Sequence, residues 1–201
     1  MTKHLLVATR NQGKVAEISE ILASLDVTWL SLDDVGVNYE VEESGKTFEE
    51  NAILKVEFCA RKTGLLTLAD DSGLEVDALD GRPGVHTARF GGPGLTQKQR
   101  YQRLLESLSS VPWEQRTARF RCVVALARDQ ELLGTASGVC EGMIALKPAG
   151  MGGFGYDPIF YLPERNKTMA QLQPNEKHRI SHRGRALAAL ASLLRAELSN
   201  Q

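Results

Sequence analysis

Residues 4–8 form one short apolar run, six mostly polar positions follow at 9–14, and then Val15, Ile18, Ile21, Leu22 and Leu25 recur at helical spacing. The chain therefore opens strand, polar loop, helix. Residues 27–32 read as a second strand, and residues 33–46, acidic and turn-rich, as a loop. Thr47 followed three positions on by Glu50 is a capping-box pattern, which predicts a helix through Ile53, Val56 and Ala60 that stops at Gly64. Residues 65–69 are apolar and end abruptly in Asp70-Asp71-Ser72-Gly73. Leu74, Val76 and Ala78 then alternate with Glu75 and Asp77, as in a half-exposed strand. Five glycines and two prolines in residues 80–94 predict a surface loop. A polar helix over 96–108, strands over 117–127 and 131–139, and a second glycine-rich loop over 150–158 come next. A last helix over 181–198 places Leu187, Leu190, Leu194 and Leu198 on one face. The order predicts a mixed α/β fold. No internal repeat, low-complexity tract or long linker divides the chain, so residues 1–201 are expected to form one domain.

Composition narrows the class. With 201 residues, 42% hydrophobic and 24% charged, the chain is long enough to bury roughly 70% of its unfolded surface without staples. Lys plus Arg number 24 and Asp plus Glu 25, so no general basic field exists to hold a nucleic-acid backbone or a membrane surface. Cys59, Cys122 and Cys140 are odd in number and lack CxxC spacing, which argues against a disulfide framework or zinc knuckle and for a reducing compartment. Cys59 and Cys122 fall on apolar faces and read as structural thiols. The start resembles no secretory signal, and no run of about 18 apolar residues occurs.

Five polar segments could carry chemistry. Thr9, Arg10, Asn11, Gln12, Gly13 and Lys14 lie between a strand and a helix N-terminus, where backbone N–H groups, two side-chain hydrogen-bonding groups and a cation suit a triphosphate. Ala8 and Val15 break the Walker A pattern, and Asn11 could equally be an ordinary N-cap. Between Asp33 and Glu50 stand seven acids (Asp33, Asp34, Glu40, Glu42, Glu43, Glu49, Glu50) against Lys46, a donor set for Mg²⁺ or simply a solvated face. Asp70 and Asp71 close an apolar strand, where one could face a metal or water while the other points into structure; the plainer reading is an Asx-turn. In the 152–158 loop, Phe154 or Tyr156 could stack on a base while Gly155 and Asp157 read its edge, or the aromatics could anchor the loop in the core. From Glu176 to Arg185, four Lys or Arg and two histidines face one acid, before a helix that could meet phosphate.

Taken together these segments resemble a known family, the non-standard purine nucleoside triphosphate pyrophosphatases (inosine/xanthosine triphosphatases) of bacterial type. The matching residues are Thr9-x-Asn11-x-x-Lys14, Glu42-Glu43, the 50–55 helix, the 69–74 segment, Gly152 to Pro158, and Glu176-Lys177 with Ser181-His182-Arg183. The resemblance implies an elongated α/β fold with a mixed central sheet flanked by helices, and two lobes with an active-site cleft between them. It implies Mg²⁺-dependent hydrolysis of dITP, ITP and XTP to the monophosphate and pyrophosphate, cleansing the purine nucleotide pool. It further implies a cytoplasmic homodimer that acts on free nucleotides rather than nucleic acid. By the same resemblance, residues 9–14 wrap the phosphates, Asp71 is the general base and a metal ligand, and Glu43 is the second metal ligand in preference to Glu42. Ser72, Lys55 and Lys177 hold phosphates or substrate, Phe154, Gly155, Tyr156 and Asp157 sandwich and read the base, and His182 with Arg183 contacts its 6-oxo edge. The alternatives are an NTP-dependent phosphotransferase, a non-catalytic nucleotide sensor and a nucleic-acid-binding module.

Overall fold

The computed structural model describes residues 3–38 and 41–200. Glu40 of the acidic run lies outside the described residues. In chain order the elements are β1 (His4–Val7), α1 (Gln12–Ile21), β2 (Thr28–Leu30), α2 (Phe48–Thr63), β3 (Thr67–Val76), α3 (Gln97–Ser107), β4 (Thr117–Arg128), β5 (Glu131–Ile144), β6 (Phe160–Leu162), β7 (Lys167–Thr168), α4 (Pro174–Ile180) and α5 (His182–Ser199). The strands form a seven-stranded sheet in the order β2-β1-β3-β4-β5-β6-β7. β1 is parallel to β2 and β3, whereas β6 is antiparallel to β5 and β7, so the sheet is mixed as expected.

The chain divides into two compact units. The first comprises Met1–Asp71, Cys122–Gly138 and His182–Gln201. β1 and the parts of β3 and β4 within it are buried on both faces, and side-chain alternation sorts their residues. Leu5 and Val7, Leu66 and Leu68, and Cys122, Val124 and Leu126 pack with Ile18 and Leu22 of the α1 region and with Leu187, Leu190, Leu194 and Leu198 of α5. Leu6, Ala8, Ala69, Ala125 and Ala127 pack instead with Ala52, Val56, Cys59 and Ala60 of α2. The leucine face read from the sequence is thus the buried face of α5.

The second unit comprises Ser72–Arg121 and Val139–Ser181. One core serves it: Leu74, Val76, Ala118, Phe120, Cys140 and Ile144 pack with Leu104 and Leu108 of the α3 region and with Phe160, Leu162 and Met169. Several of the alternate strand positions are charged, among them Glu75, Arg119, Arg121 and Glu141. Arg119 on β4 reaches Glu75 on β3, Asp77 just past its end and Glu141 on β5, in keeping with the polar/apolar alternation.

Local signals fared well and long-range ones less so. Thr47 and Glu50 form the capping box of α2, and Gly64 ends it at φ +70°. Asn11 caps α1, but that helix stops at Ile21, with Leu22 as its C-cap and Leu25 beyond it. A 3-10 segment, Gly84–Arg89, occupies part of the 80–94 loop. β5 runs five residues past 139 to Ile144, and β6, β7 and α4 are additional to the elements the sequence predicts. The largest correction concerns Asp70 to Gly73. These residues neither end a strand nor form an Asx-turn, because β3 runs without interruption from Thr67 to Val76.

Candidate active site

That continuity separates the surroundings of the two aspartates. Adjacent residues on a strand point to opposite faces, so Asp70 joins the α1/α5 side and Asp71 the α2 side. On the first side Asp70 is 1% exposed. Its Oδ2 lies 3.1 Å from Lys14 Nζ and accepts hydrogen bonds from Arg183 Nη2 at 3.0 Å and from Cys122 Sγ at 3.8 Å. Arg183 Nη1 also donates to Glu17 Oε2. Burial opposes ionisation of Asp70, but the charges of Lys14, Arg183 and Lys55 outweigh it and hold the carboxyl well below the usual carboxylate range. Burial, reinforced by Asp70, pushes the Cys122 thiol up to about 12, so it is an inert structural group, as expected.

On the second side Asp71 is 5% exposed and faces α2. Asn51 and Lys55 stand one turn apart on that helix and therefore on one face. Asn51 Nδ2 donates to Asp71 Oδ2 at 3.1 Å, and Lys55 Nζ donates to Asp71 Oδ1 at 3.3 Å and to Glu43 Oε1 at 2.6 Å. Burial raises the Asp71 carboxyl above its ordinary value, with Glu43 adding to the rise and Lys55, Lys14 and Asn51 opposing it. Burial works against the Lys55 ammonium, yet Asp71, Asp70 and Glu43 carry it above the usual lysine value.

The remaining acids of the 33–50 run disperse. Asp33 pairs with Arg10, Asp34 takes the Ser31 hydroxyl and amide, Glu49 accepts from Thr135, and Glu50 closes the capping box. Glu42 is exposed, and Glu43 alone among the described acids of the run is bound to Lys55. In the first loop, Asn11 Oδ1 accepts from the amides of Gly13 and Lys14, while Thr9 Oγ1 accepts from the Asn11 amide. The helix-capping reading of Asn11 is therefore realised, and two amides expected to be open are capped by the protein itself. Arg10 also donates to the Val37 carbonyl, and Gln12 is exposed.

In the second unit, Asp157 is buried and its Oδ2 accepts from the Phe154 amide at 2.8 Å and from Lys177 Nζ at 2.5 Å. The Lys177 ammonium lies 5.1 Å from the centre of the Phe154 ring, a cation–π contact. Gly153 sits at φ +68°, and a Cβ there would collide with Asp157 Oδ2. Gly155 donates its amide to Gln97. Tyr156 belongs to the core and donates its hydroxyl to the Thr87 carbonyl at 3.1 Å, so it anchors the loop, whereas Phe154 is half-buried. Ser72 follows Asp71 on β3 and is half-buried; His182, the first residue of α5, is buried.

Mg²⁺ takes oxygen ligands and is commonly held by one or two carboxylates plus waters and substrate phosphates. Asp71 and Glu43 already share one cation, the Lys55 ammonium, and this pair fits such an ion. No group of three or more His, Cys, Asp or Glu forms a closed metal cage among the described residues. No helix of the described residues is long and apolar enough to cross a membrane.

Two buried groups here have no role assigned from the sequence. Glu17 carries no signal beyond its place three residues after Lys14. Asn51 falls within the 50–55 stretch that carries the resemblance, and its spacing of four from Lys55 puts the two on one helix face.

The Ham1 family profile matches residues 5–193. The chain is 53% identical over 186 residues to the dITP/XTP pyrophosphatase of Geobacter sulfurreducens, covering 92% of this chain and 94% of the relative. It is 46% identical over 194 residues to the dITP/XTP pyrophosphatase of Bacillus subtilis, covering 96% and 98%. Among solved structures, a HAM1 protein from Coxiella burnetii superposes with a TM-score of 0.87 at 42% identity, over 97% of this chain and 100% of that one.

Proposed function

The chain belongs to the Ham1 family, and from that premise we propose that it is a nucleoside triphosphate pyrophosphohydrolase. It converts dITP, ITP and XTP to the monophosphate and pyrophosphate, keeping deaminated purines out of DNA and RNA. The observation that carries this reading is the buried Asp71 carboxylate sharing the Lys55 ammonium with Glu43. Asp71 and Glu43 would hold Mg²⁺, which when bound neutralises triphosphate charge and polarises the attacked phosphoryl group.

The chain's own groups do the rest. Asp71, ionised, accepts the proton of the water that cleaves the α–β anhydride. Lys14 and Lys55 supply positive charge for the phosphates, with Thr9 to Gly13 shaping the loop and Ser72 adding a hydroxyl. Asp70, with Lys14 and Arg183 on its Oδ2, stays ionised and holds Lys14 in place. In the second unit, Phe154 and Gly155 form the base-recognition loop, which Tyr156 anchors and Asp157 and Lys177 brace. The Arg183 guanidinium is committed to Asp70 and Glu17. Reading of the 6-oxo edge therefore falls to His182, with Arg183 setting the start of α5. A donor aimed at O6 meets adenine's amino group as a mispaired donor, at a cost of about 1–3 kcal/mol.

Residues 1–201 act as one catalytic domain, since the chain passes between the two units inside β3, inside β4, inside β5 and at Ser181 to His182, leaving neither a continuous segment. The family resemblance supports a cytoplasmic homodimer, and the balanced charge supports free nucleotides over nucleic acid as partners.

The test is a Mg²⁺-dependent screen of nucleoside triphosphates with product analysis. Monophosphate plus pyrophosphate is expected from the 6-oxo purines. Diphosphate plus inorganic phosphate would sink the reading in favour of phosphotransfer chemistry. An inosine-over-adenosine preference surviving His182→Ala would remove His182 from base recognition.

A further inference from the structure

Asn51 is fully buried on the α2 face that meets Asp71. Its amide is used at both ends. Nδ2 donates to Asp71 Oδ2 at 3.1 Å, and Oδ1 accepts the Gly45 amide at 2.8 Å. Gly45 lies two residues after Glu43 in the loop that leads into α2. A Cβ on Gly45 would stand 2.6 Å from Asn51 Oδ1 and 2.7 Å from Glu50 Cβ, so the loop approaches the helix more closely than a side chain there allows. The loop amide needs an acceptor and the carboxylate needs a donor. Asparagine supplies both from one planar group of this length; aspartate lacks the donor and leucine lacks both.

We propose that Asn51 is a positioning residue that ties the Glu43 loop to Asp71 and so sets the spacing of the two carboxylates. The inference rests on the reading of Asp71 and Glu43 as the hydrolytic pair. Lys55 holds the same carboxylates by charge, and Asn51 fixes them by direction: it occupies Asp71 Oδ2 and leaves Oδ1 turned to the side shared with Glu43. Groups that orient metal-holding carboxylates typically matter 10–100-fold for affinity or turnover.

The experiment compares wild type, Asn51→Ala and Gly45→Ala, each shown folded by circular dichroism. Mg²⁺ binding to the free protein is measured by calorimetry, amide exchange of the 41–46 segment by hydrogen–deuterium exchange, and kcat and KM with ITP. For Asn51→Ala the expected result is faster exchange at Gly45, Mg²⁺ affinity and kcat each down roughly 10–100-fold, and KM for ITP within about threefold, because Lys14 sits on another element. Gly45→Ala should shift the same quantities in the same direction. Combining the two should add little, since both break one link. If Asn51→Ala does not fold, the Gly45→Ala protein carries the test, because its substitution lies in a loop. Folded variants with wild-type Mg²⁺ affinity and kcat overturn the proposal, as does a loss confined to KM. Asp71→Asn serves as control. Continued turnover in that variant refutes the hydrolytic reading itself, whereas an inactive Asp71→Asn beside an unaffected Asn51→Ala refutes only the positioning role.

Discussion

Replacing Asp70 by asparagine removes one charge and almost no volume. Two cations, Lys14 at 3.1 Å and Arg183 at 3.0 Å, then face a neutral amide in a site where the aspartate side chain had no solvent contact. Glu17 remains on Arg183 but leaves the group with an uncompensated positive charge. Breaking a buried ion pair from one side costs about 3–5 kcal/mol. For a chain of this length that corresponds to a melting temperature lower by roughly 6–20 °C. The pH dependence gives a second check. The folded-state carboxyl is depressed below its unfolded value of about 3.9. Its contribution is therefore complete above that pH and is lost as pH falls toward the folded value. The asparagine variant has no carboxyl to titrate at this position, so the stability gap between the two proteins should be widest near pH 7 and should narrow below about pH 3.9. Urea unfolding followed by circular dichroism at a series of pH values measures it. A gap under about 1 kcal/mol at pH 7, or one that stays constant into acid, would refute the assignment of Asp70 as the ionised anchor of a buried charge network.

Further outcomes follow from the same geometry. Asp71→Asn should bind ITP in calorimetry while pyrophosphate release falls by about 10²–10⁴-fold, the range for loss of a general base. Because burial raises the Asp71 carboxyl, Asp71 in the Mg²⁺-free protein should take up its proton at a pH above the ordinary carboxylate value, followed through its carboxyl NMR signal. In Lys55→Met, an opposing positive charge is gone, so this titration should move to still higher pH; a titration moving downward would contradict the assignment. Gly153→Ala forces a left-handed φ on alanine and drives its Cβ into Asp157. KM for ITP should rise about tenfold through displacement of Phe154, on the scale of 1–2 kcal/mol for strain at such a site.

The motif residues were legible in the sequence because each rests on local chemistry. The Thr47–Glu50 box, the Gly64 stop and the leucine face of α5 depend on neighbours within one or two turns. Their signals survive without knowledge of the fold. The acidic run was also visible, but its meaning was not. Asp33, Asp34, Glu49 and Glu50 look like Glu43 in composition, and only the path of the loop sends Glu43 to Lys55 and the others to Arg10, Ser31, Thr135 and a helix cap.

The chain's own order of residues determined the α/β class, the membership carried by its spaced motifs, and the identity of the candidate acids and bases. Tertiary structure decided which partners Asp70 and Asp71 each meet. Their sequence surroundings are nearly the same, and either could have been the base. Because β3 continues through them, the pleat turns one side chain toward Lys14 and Arg183 and the other toward Asn51 and Lys55. A carboxylate's role follows from the charges that surround it after burial, and those charges come from residues up to 113 positions away.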